Sequence, residues 1–284
     1  MKTLNTMKHL FIFVALCLLA VAAMAQQNIR VSYDQTEFSL HGDSLATSKF
    51  LLSASAHRSL YYNRMSQYVD SLTSTPEGKK TLKEIQIAAW KVDSPDGTYT
   101  LDMRRPAPRK TIDLYVDKNF DTSTLSVYEK YAGEPGVYNE PFDEMQWNIV
   151  SDSTCEVLGY ECVRAETDYH GRHWIAWFAP DVPLPDGPWK LRGLPGLIMK
   201  AGTDHGISLV ATGIEMTDTA VPAIYQTDAY SKVDRKKALA EEEYFRNNYA
   251  ASLGAQGIRI TNADGTAYEA PKFIRAKHAL ETDY

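Results

Sequence analysis

Beyond residue 25 the sequence has no apolar run approaching the roughly 20 residues that a helix needs to cross a bilayer, so no transmembrane segment is expected after that point. Positive charge is also scarce. Thirty Lys and Arg stand against 36 Asp and Glu, a formal net charge of −6. Nucleic acid is therefore not an expected partner, since gripping phosphates needs a basic face. The linear signatures of several chemistries are missing as well: there is no Walker loop, no dinucleotide fingerprint and no Gly-x-Ser-x-Gly elbow. No cofactor and no catalytic residue is read from the chain. A hydrolytic carboxylate pair would leave no such trace, because its signal is spatial.

The one long apolar run lies at the start. Lys2 and Lys8 precede the stretch Leu10 to Ala23, which closes on the small-residue pattern Ala23, Met24, Ala25 and is followed by Gln26, Gln27 and Asn28. This order predicts a secretory signal peptide over residues 1–25, cleaved after Ala25. Residues 26–284 are then one mature, exported domain, in the periplasm or associated with the outer membrane. Its net charge is −8, the −6 of the whole chain less Lys2 and Lys8. Cys17 follows Val14, Ala15 and Leu16 rather than a small residue, so a lipid anchor is not expected.

Cysteine is nearly absent from the mature chain, which keeps only Cys155 and Cys162. In an oxidising compartment such a pair reads as a disulfide. A tight hairpin at Leu158-Gly159 in "CEVLGYEC" places 155 opposite 162, and the bond would contribute about 2 to 3 kcal/mol in the chain-entropy account. A soft-metal thiolate pair is the alternative.

What is abundant is alternation. "NIRVSYDQTEF" sets Ile29, Val31 and Tyr33 on one face of a first strand, and "KFLLSASAHRSLYYN" supplies a second and third. Two strands flank the loop in "TIDLYVDKNFDTSTLSVYEKY". Another begins at Trp147, Ile149 and Val150, the cysteine hairpin adds two, a turn at Gly171 leads into "WIAWFA", and "GISLVATGIEM" follows; the tail from "IRIT" starts like one more. Thr75 and Pro76 open a helix over about 76–89. Ser231 with Asp234 reads as a capping box for a second helix, over 232–252, closed by Gly254. These runs predict an α+β, β-rich fold: a single large twisted antiparallel sheet, half-barrel or open-barrel-like, with two helices packed on or capping it.

Four places carry candidate chemistry. "GPWKLRGLPGLIMKAG", residues 187–202, contains a Pro-Gly turn between apolar pairs. Leu194-Pro195-Gly196-Leu197 fits a type II turn with positive φ at Gly196, Gly193 relieves crowding at its entry, and Leu191, Leu194, Leu197 and Ile198 anchor the corner in the core. The competing reading is a ligand or partner loop with Trp189, Lys190 and Arg192 as exposed contacts. His170 and His173, with Asp168, Glu166 and Arg172 nearby and His205 further on, could hold a zinc or copper ion, or they are surface turn residues. Asp204 beside His205 is weak evidence for a catalytic dyad. Trp174 and Trp177, three apart on a strand, should face opposite sides, one in the core and the other available to line a surface or cavity.

The order of these motifs resembles a known family. Gly-Tyr-x-Cys at 159–162, Gly-Arg-x-Trp-x-Ala-Trp at 171–177, Gly-Pro-Trp at 187–189 and the hexapeptide Gly193-Leu194-Pro195-Gly196-Leu197-Ile198 are similar to the GLPGLI family of Bacteroidota secreted proteins. Phe178 and Ala179 depart from the Tyr and Thr that the family favours. The resemblance implies no catalytic residue. It suggests a non-enzymatic envelope accessory or binding protein whose partner is an unknown envelope protein or a small ligand. Two alternatives stand beside it: a carrier of a hydrophobic ligand in a curved-sheet cavity, and a metal-dependent hydrolase using His170, His173, Asp168 and Glu166.

Overall fold

The computed structural model describes residues 28–38, 44–142, 145–255, 257, 259–262, 264–266, 268–269 and 272–284. The expected signal peptide lies outside them. Fourteen strands are described: β1 Asn28–Phe38, β2 Leu45–Ala54, β3 Arg58–Asn63, β4 Lys91–Asp93, β5 Tyr99–Leu101, β6 Tyr115–Asn119, β7 Thr124–Tyr131, β8 Glu134–Pro141, β9 Asn148–Val157, β10 Tyr160–Tyr169, β11 Arg172–Ala179, β12 Leu197–Gly202, β13 Ser208–Thr217 and β14 Ser231–Lys232. The helices are α1 Arg64–Thr73, α2 Pro76–Trp90, α3 Arg235–Asn247, α4 Tyr249–Ala255 and α5 Arg275–His278. Twelve strands form one open sheet in the order β14-β8-β7-β6-β3-β2-β1-β13-β12-β11-β10-β9, and β4-β5 is a separate ribbon. Every pairing in the large sheet is antiparallel except the two-residue parallel contact of β14 with β8. The fold is thus the expected α+β class built on a single large sheet, with more helices than the two read from the sequence.

Register explains where the core sits. Val31, Leu52, Tyr61, Val116, Val127 and Tyr138 are direct neighbours across six consecutive strands from β1 to β8. All six are buried. Because in-facing residues recur at every second position, this apolar row continues along each strand, through Tyr33 on β1 and Leu125 on β7, and the buried amide of Gln35 interrupts it on β1. Each such side chain contributes roughly 1.5–3 kcal/mol on leaving water.

Helix α2 starts as expected, with the Thr75 hydroxyl accepting from the Gly78 amide at 3.0 Å and Pro76 at the first position. The second expected helix begins later. Ser231 belongs to β14 and the Val233 amide donates to the Val137 carbonyl at 2.9 Å, so the chain is committed to the sheet edge through residue 233. Asp234 caps α3 instead, accepting from the Lys237 amide at 3.0 Å. The helix breaks at Asn248, and Gly254 lies inside α4 rather than closing a single helix. Trp147, Ile149 and Val150 do not make a strand of their own. β9 runs unbroken from Asn148 into the cysteine hairpin, and an irregularity opposite Val163 and Arg164 absorbs the extra residues. No strand is described in the tail, whose last residues turn back into the molecule with Glu281 buried.

The cysteine hairpin has the expected register, with Cys162 opposite Cys155. It is closed by a two-residue turn whose Leu158 and Gly159 both have positive φ, 54° and 82°, the backbone twist that suits a hairpin. Both cysteines stand as free thiols in this structure, without the expected bond between them.

Candidate functional site

The Pro-Gly corner is buried, but its glycines exchange the roles expected of them. Leu191, Leu194, Leu197 and Ile198 are all within 1% of full burial. Positive φ falls on Gly193, at 90°, and not on Gly196, so residues 194–197 are not a type II turn. The Gly196 amide bonds the Leu194 carbonyl at 2.8 Å. What requires glycine at 196 is proximity, since a Cβ there would lie 2.3 Å from the Ala179 carbonyl oxygen. The Leu197 amide reaches the Val182 carbonyl at 2.9 Å, the Ile198 amide reaches that of Asp186 at 2.9 Å, and the Tyr33 hydroxyl donates to the Ile198 carbonyl at 2.7 Å. The corner is stitched to the connector before it and to β1.

Trp189, Lys190 and Arg192 are not exposed contacts. Their relative exposures are 2%, 0% and 5%. Trp189 adopts positive φ and stacks on Trp174 with ring centroids 5.3 Å apart. The Arg192 guanidinium lies 4.2 Å over the Phe142 ring, and the Arg192 carbonyl accepts from the Trp147 indole at 2.9 Å. Trp174 is fully buried whereas Trp177 is half-buried beneath the Lys200 ammonium, at 4.6 Å. The two tryptophans divide between core and surface as strand geometry requires.

Lys190 instead completes a buried ion network. Its ammonium lies 2.7 Å from Glu140 on β8 and 2.7 Å from Glu281 in the tail. Arg235, at the start of α3, meets Glu140 at 3.0 Å and Asp283 at 2.7 Å, and also pairs with Glu281. His170 packs against the same cluster, 3.3 Å from Asp283 and 3.6 Å from Glu140. Burial alone would raise the Glu140 pKa, but hydrogen bonding to His170 and the Lys190 charge hold it down at about 2. Asp283 is likewise pulled below its ordinary value, first by its hydrogen bonds from Arg235.

This arrangement separates the expected metal ligands. His173 lies on the exposed side with Asp168 at 2.8 Å and Glu166 at 3.9 Å, His170 belongs to the buried network, and His205 meets only Asp204, at 3.4 Å. Among the described residues, His170, Glu281 and Asp283 alone bring three ligand atoms within 4.8 Å of one another. The carboxylates of that trio already bind a guanidinium and an ammonium, which a cation would have to displace.

Beside the network is a cavity of about 460 Å³ between the in-facing side of β1, β2 and β7 and the cover formed by α3 and the tail. Phe50, Leu114, Val127 and Trp189 give it apolar walls, Leu239 and Leu280 come from the cover, and Gln35, Glu37, Glu129 and Tyr131 stand among many polar and charged lining groups, Arg246 and Glu281 included. Glu37 and Glu129 stand at in-facing positions where the strand pattern calls for apolar residues. Burial raises the pKa of both, that of Glu129 to about 8, against the opposing charge of Arg246. Gly136, directly opposite Glu129, lets the Tyr131 ring fold across it; a Cβ there would lie 2.8 Å from that ring. None of Glu37, Glu129, Glu140, Arg235, Glu281 or Asp283 stood out in the sequence. For the first two a signal existed, a carboxylate interrupting the apolar phase of Ile29-Val31-Tyr33 and of Leu125-Val127.

A family model described as "Protein of unknown function (Porph_ging)" matches residues 168–200, from the end of β10 to β12. No curated protein matches the chain. Among solved structures, PNGF-II in its C2 and P21 space groups is similar at 12% identity with a TM-score of 0.46, over 78% of this chain. The chain spans about one third of the PNGF-II chains, 33% and 34%. A domain assigned to an outer membrane lipoprotein-sorting protein from Vibrio parahaemolyticus matches at 7% identity and a TM-score of 0.25, over 72% of this chain and 89% of that one. No helix among the described residues is long and apolar enough to cross a membrane.

Proposed function

We propose that the chain is an exported, non-enzymatic envelope binding protein of the GLPGLI type, which holds the apolar part of a small ligand in the cavity between its sheet and the α3–tail cover. The observation that carries this reading is the cavity itself. Its volume, about 460 Å³, lies within the roughly 300–1,000 Å³ of small-molecule sites. Its walls set Trp189 and three leucines beside polar and charged groups, so an apolar segment and a polar head can be held side by side. The leader-like N-terminus supports export, and the motif order around Gly193–Ile198 supports the family.

Two measurements test the reading. Native mass spectrometry of protein isolated from its own envelope should show an added small-molecule mass. A neutral naphthylamine probe should brighten with one site per chain, and Ala46→Trp, which places an indole at the cavity wall, should abolish that signal while retaining the circular-dichroism spectrum. Absence of both the bound mass and the probe site would overturn it.

A further inference from the structure

The acidic residues around the cavity are not equivalent. Asp113 pairs with Lys110 at 2.8 Å and Lys130 at 3.3 Å, Glu242 with Arg246, Glu243 with Arg275 at 2.8 Å, and Glu281 with Lys190 and Arg235. Among the described residues, Glu37 and Glu129 have no ion-pair partner. Glu37 receives one long hydrogen bond from the Gln35 amide, 3.4 Å. A second feature points the same way. The Tyr131 side chain is 5% exposed and lines the cavity, yet its hydroxyl has no partner in close hydrogen-bonding geometry, its polar neighbours being Glu129 and Tyr138. A buried hydroxyl without a close partner is costly, so its persistence here marks a place where a ligand atom would be bound favourably.

Resting on the reading of the cavity as a ligand site, we infer that its ligand is an amphipathic organic cation, with an ammonium head between Glu37 and Glu129 and an apolar body against Phe50 and Val127. An ammonium carries three N–H donors and no acceptor, and Glu37, Glu129 and the Tyr131 hydroxyl offer three accepting groups. Charging a carboxyl at a partly apolar wall is costly unless an opposite charge arrives with it, and burial raises the pKa of both groups. A cationic ligand removes that cost, a neutral one leaves it, and an anion adds to it. Arg246 is the protein's own cation nearby, but its guanidinium is engaged by Glu242 and lies 5.3 Å over the Phe273 ring.

The test is calorimetric titration of the full mature chain at pH 7 with octylamine, octanol and octanoate. The amine should bind at least about 10-fold more tightly than the alcohol, a difference of about 1.4 kcal/mol, and the acid most weakly. Amine binding alone should release protons, seen as a dependence of its enthalpy on the buffer. In Glu37→Gln/Glu129→Gln the amine preference should vanish while octanol affinity stays. Equal affinities, or preference for octanoate, would overturn the cation assignment and leave the apolar cavity standing; failure of all three to bind would remove both. If the double variant does not fold, the wild-type amine-to-alcohol ratio and the proton release decide the matter.

Discussion

Lys118 on β6 and Asp186 in the connector before the corner form an ion pair in which neither side chain has any exposure. The same ammonium donates to the Gly187 carbonyl at 2.8 Å and the Leu191 carbonyl at 3.4 Å. Its three donors therefore meet three acceptors, all in the segment that carries the corner, although 68 residues separate the paired side chains. Burial pushes the Lys118 pKa down and the Asp186 charge opposes that shift.

Breaking this pair from one side should be costly. In Lys118→Met the Asp186 carboxylate stays buried without its cation, and such breaks cost about 3–5 kcal/mol. Lys118→Met/Asp186→Leu should recover much of that loss, because two well-packed apolar groups can replace a buried pair. Denaturant unfolding of the two singles and the double gives the coupling; additive losses would mean that the pair is not a unit.

The Glu140 network makes a prediction about acid. Its folded pKa of about 2 lies below the ordinary carboxylate value, so the stability it contributes is fully present above about pH 4.3 and is lost as pH falls from there towards 2. The difference corresponds to about 3 kcal/mol. Lys190→Met should be less stable at pH 7 and should show a shallower acid limb, since one of the groups holding Glu140 ionised is gone while His170 and Arg235 remain. An unchanged limb in thermal melts between pH 2 and 6 would rule out this assignment.

How much of this could be read beforehand depends on whether the deciding contact was local. The faces of β1 and β7, the caps at Thr75 and the turns at Leu158-Gly159 and His170-Gly171 are set by neighbours in sequence, and their residue types announce them. The start of α3 was misread because Ser231 and Asp234 are both capable caps, and the choice between them is made by β8, a strand almost 100 residues earlier. Lys190 and Arg192 looked exposed because charged residues usually are. They are buried because Glu140, Glu281 and Phe142 arrive from elsewhere in the chain. The apolar alternation that located β1 and β7 also contained the signal for the cavity carboxylates, in the two positions where it failed.

The glycines of the corner should respond differently to substitution. Gly193 needs positive φ and has almost open space around its Cβ position, the nearest atom being the Trp147 indole nitrogen at 3.9 Å. Gly193→Asn should therefore cost less than Gly193→Val, since Asn tolerates the left-handed region and a β-branched residue does not. At Gly196 the obstacle is the Ala179 backbone at 2.3 Å, which no side chain avoids. Gly196→Ala should cost about 1–3 kcal/mol or more and Gly196→Asn should bring no relief. Denaturation midpoints of the four variants check this, and relief by Asn at 196 would restore a positive-φ turn there.

Glu129 gives the opposite pH dependence to Glu140. Its folded pKa is raised, chiefly by burial, to about 8, whereas the unfolded chain releases that proton near pH 4.3. The fold thus loses stability as pH rises through the window from about 4.3 to 8, and the loss levels off above it. Glu129→Gln cannot ionise, so its stability should match wild type near pH 4 and exceed it at pH 8.5. The gain is on the order of 2 kcal/mol once solvent screening of this partly buried group is allowed for. An added octylamine, binding between Glu37 and Glu129, should stabilise the wild type at pH 8.5 more than it stabilises the Gln variant. Thermal unfolding from pH 4 to 9 with and without the amine measures both effects. If Glu129→Gln is the less stable protein at pH 8.5, Glu129 is ionised in the fold and held by Arg246, and the cavity already has its cation.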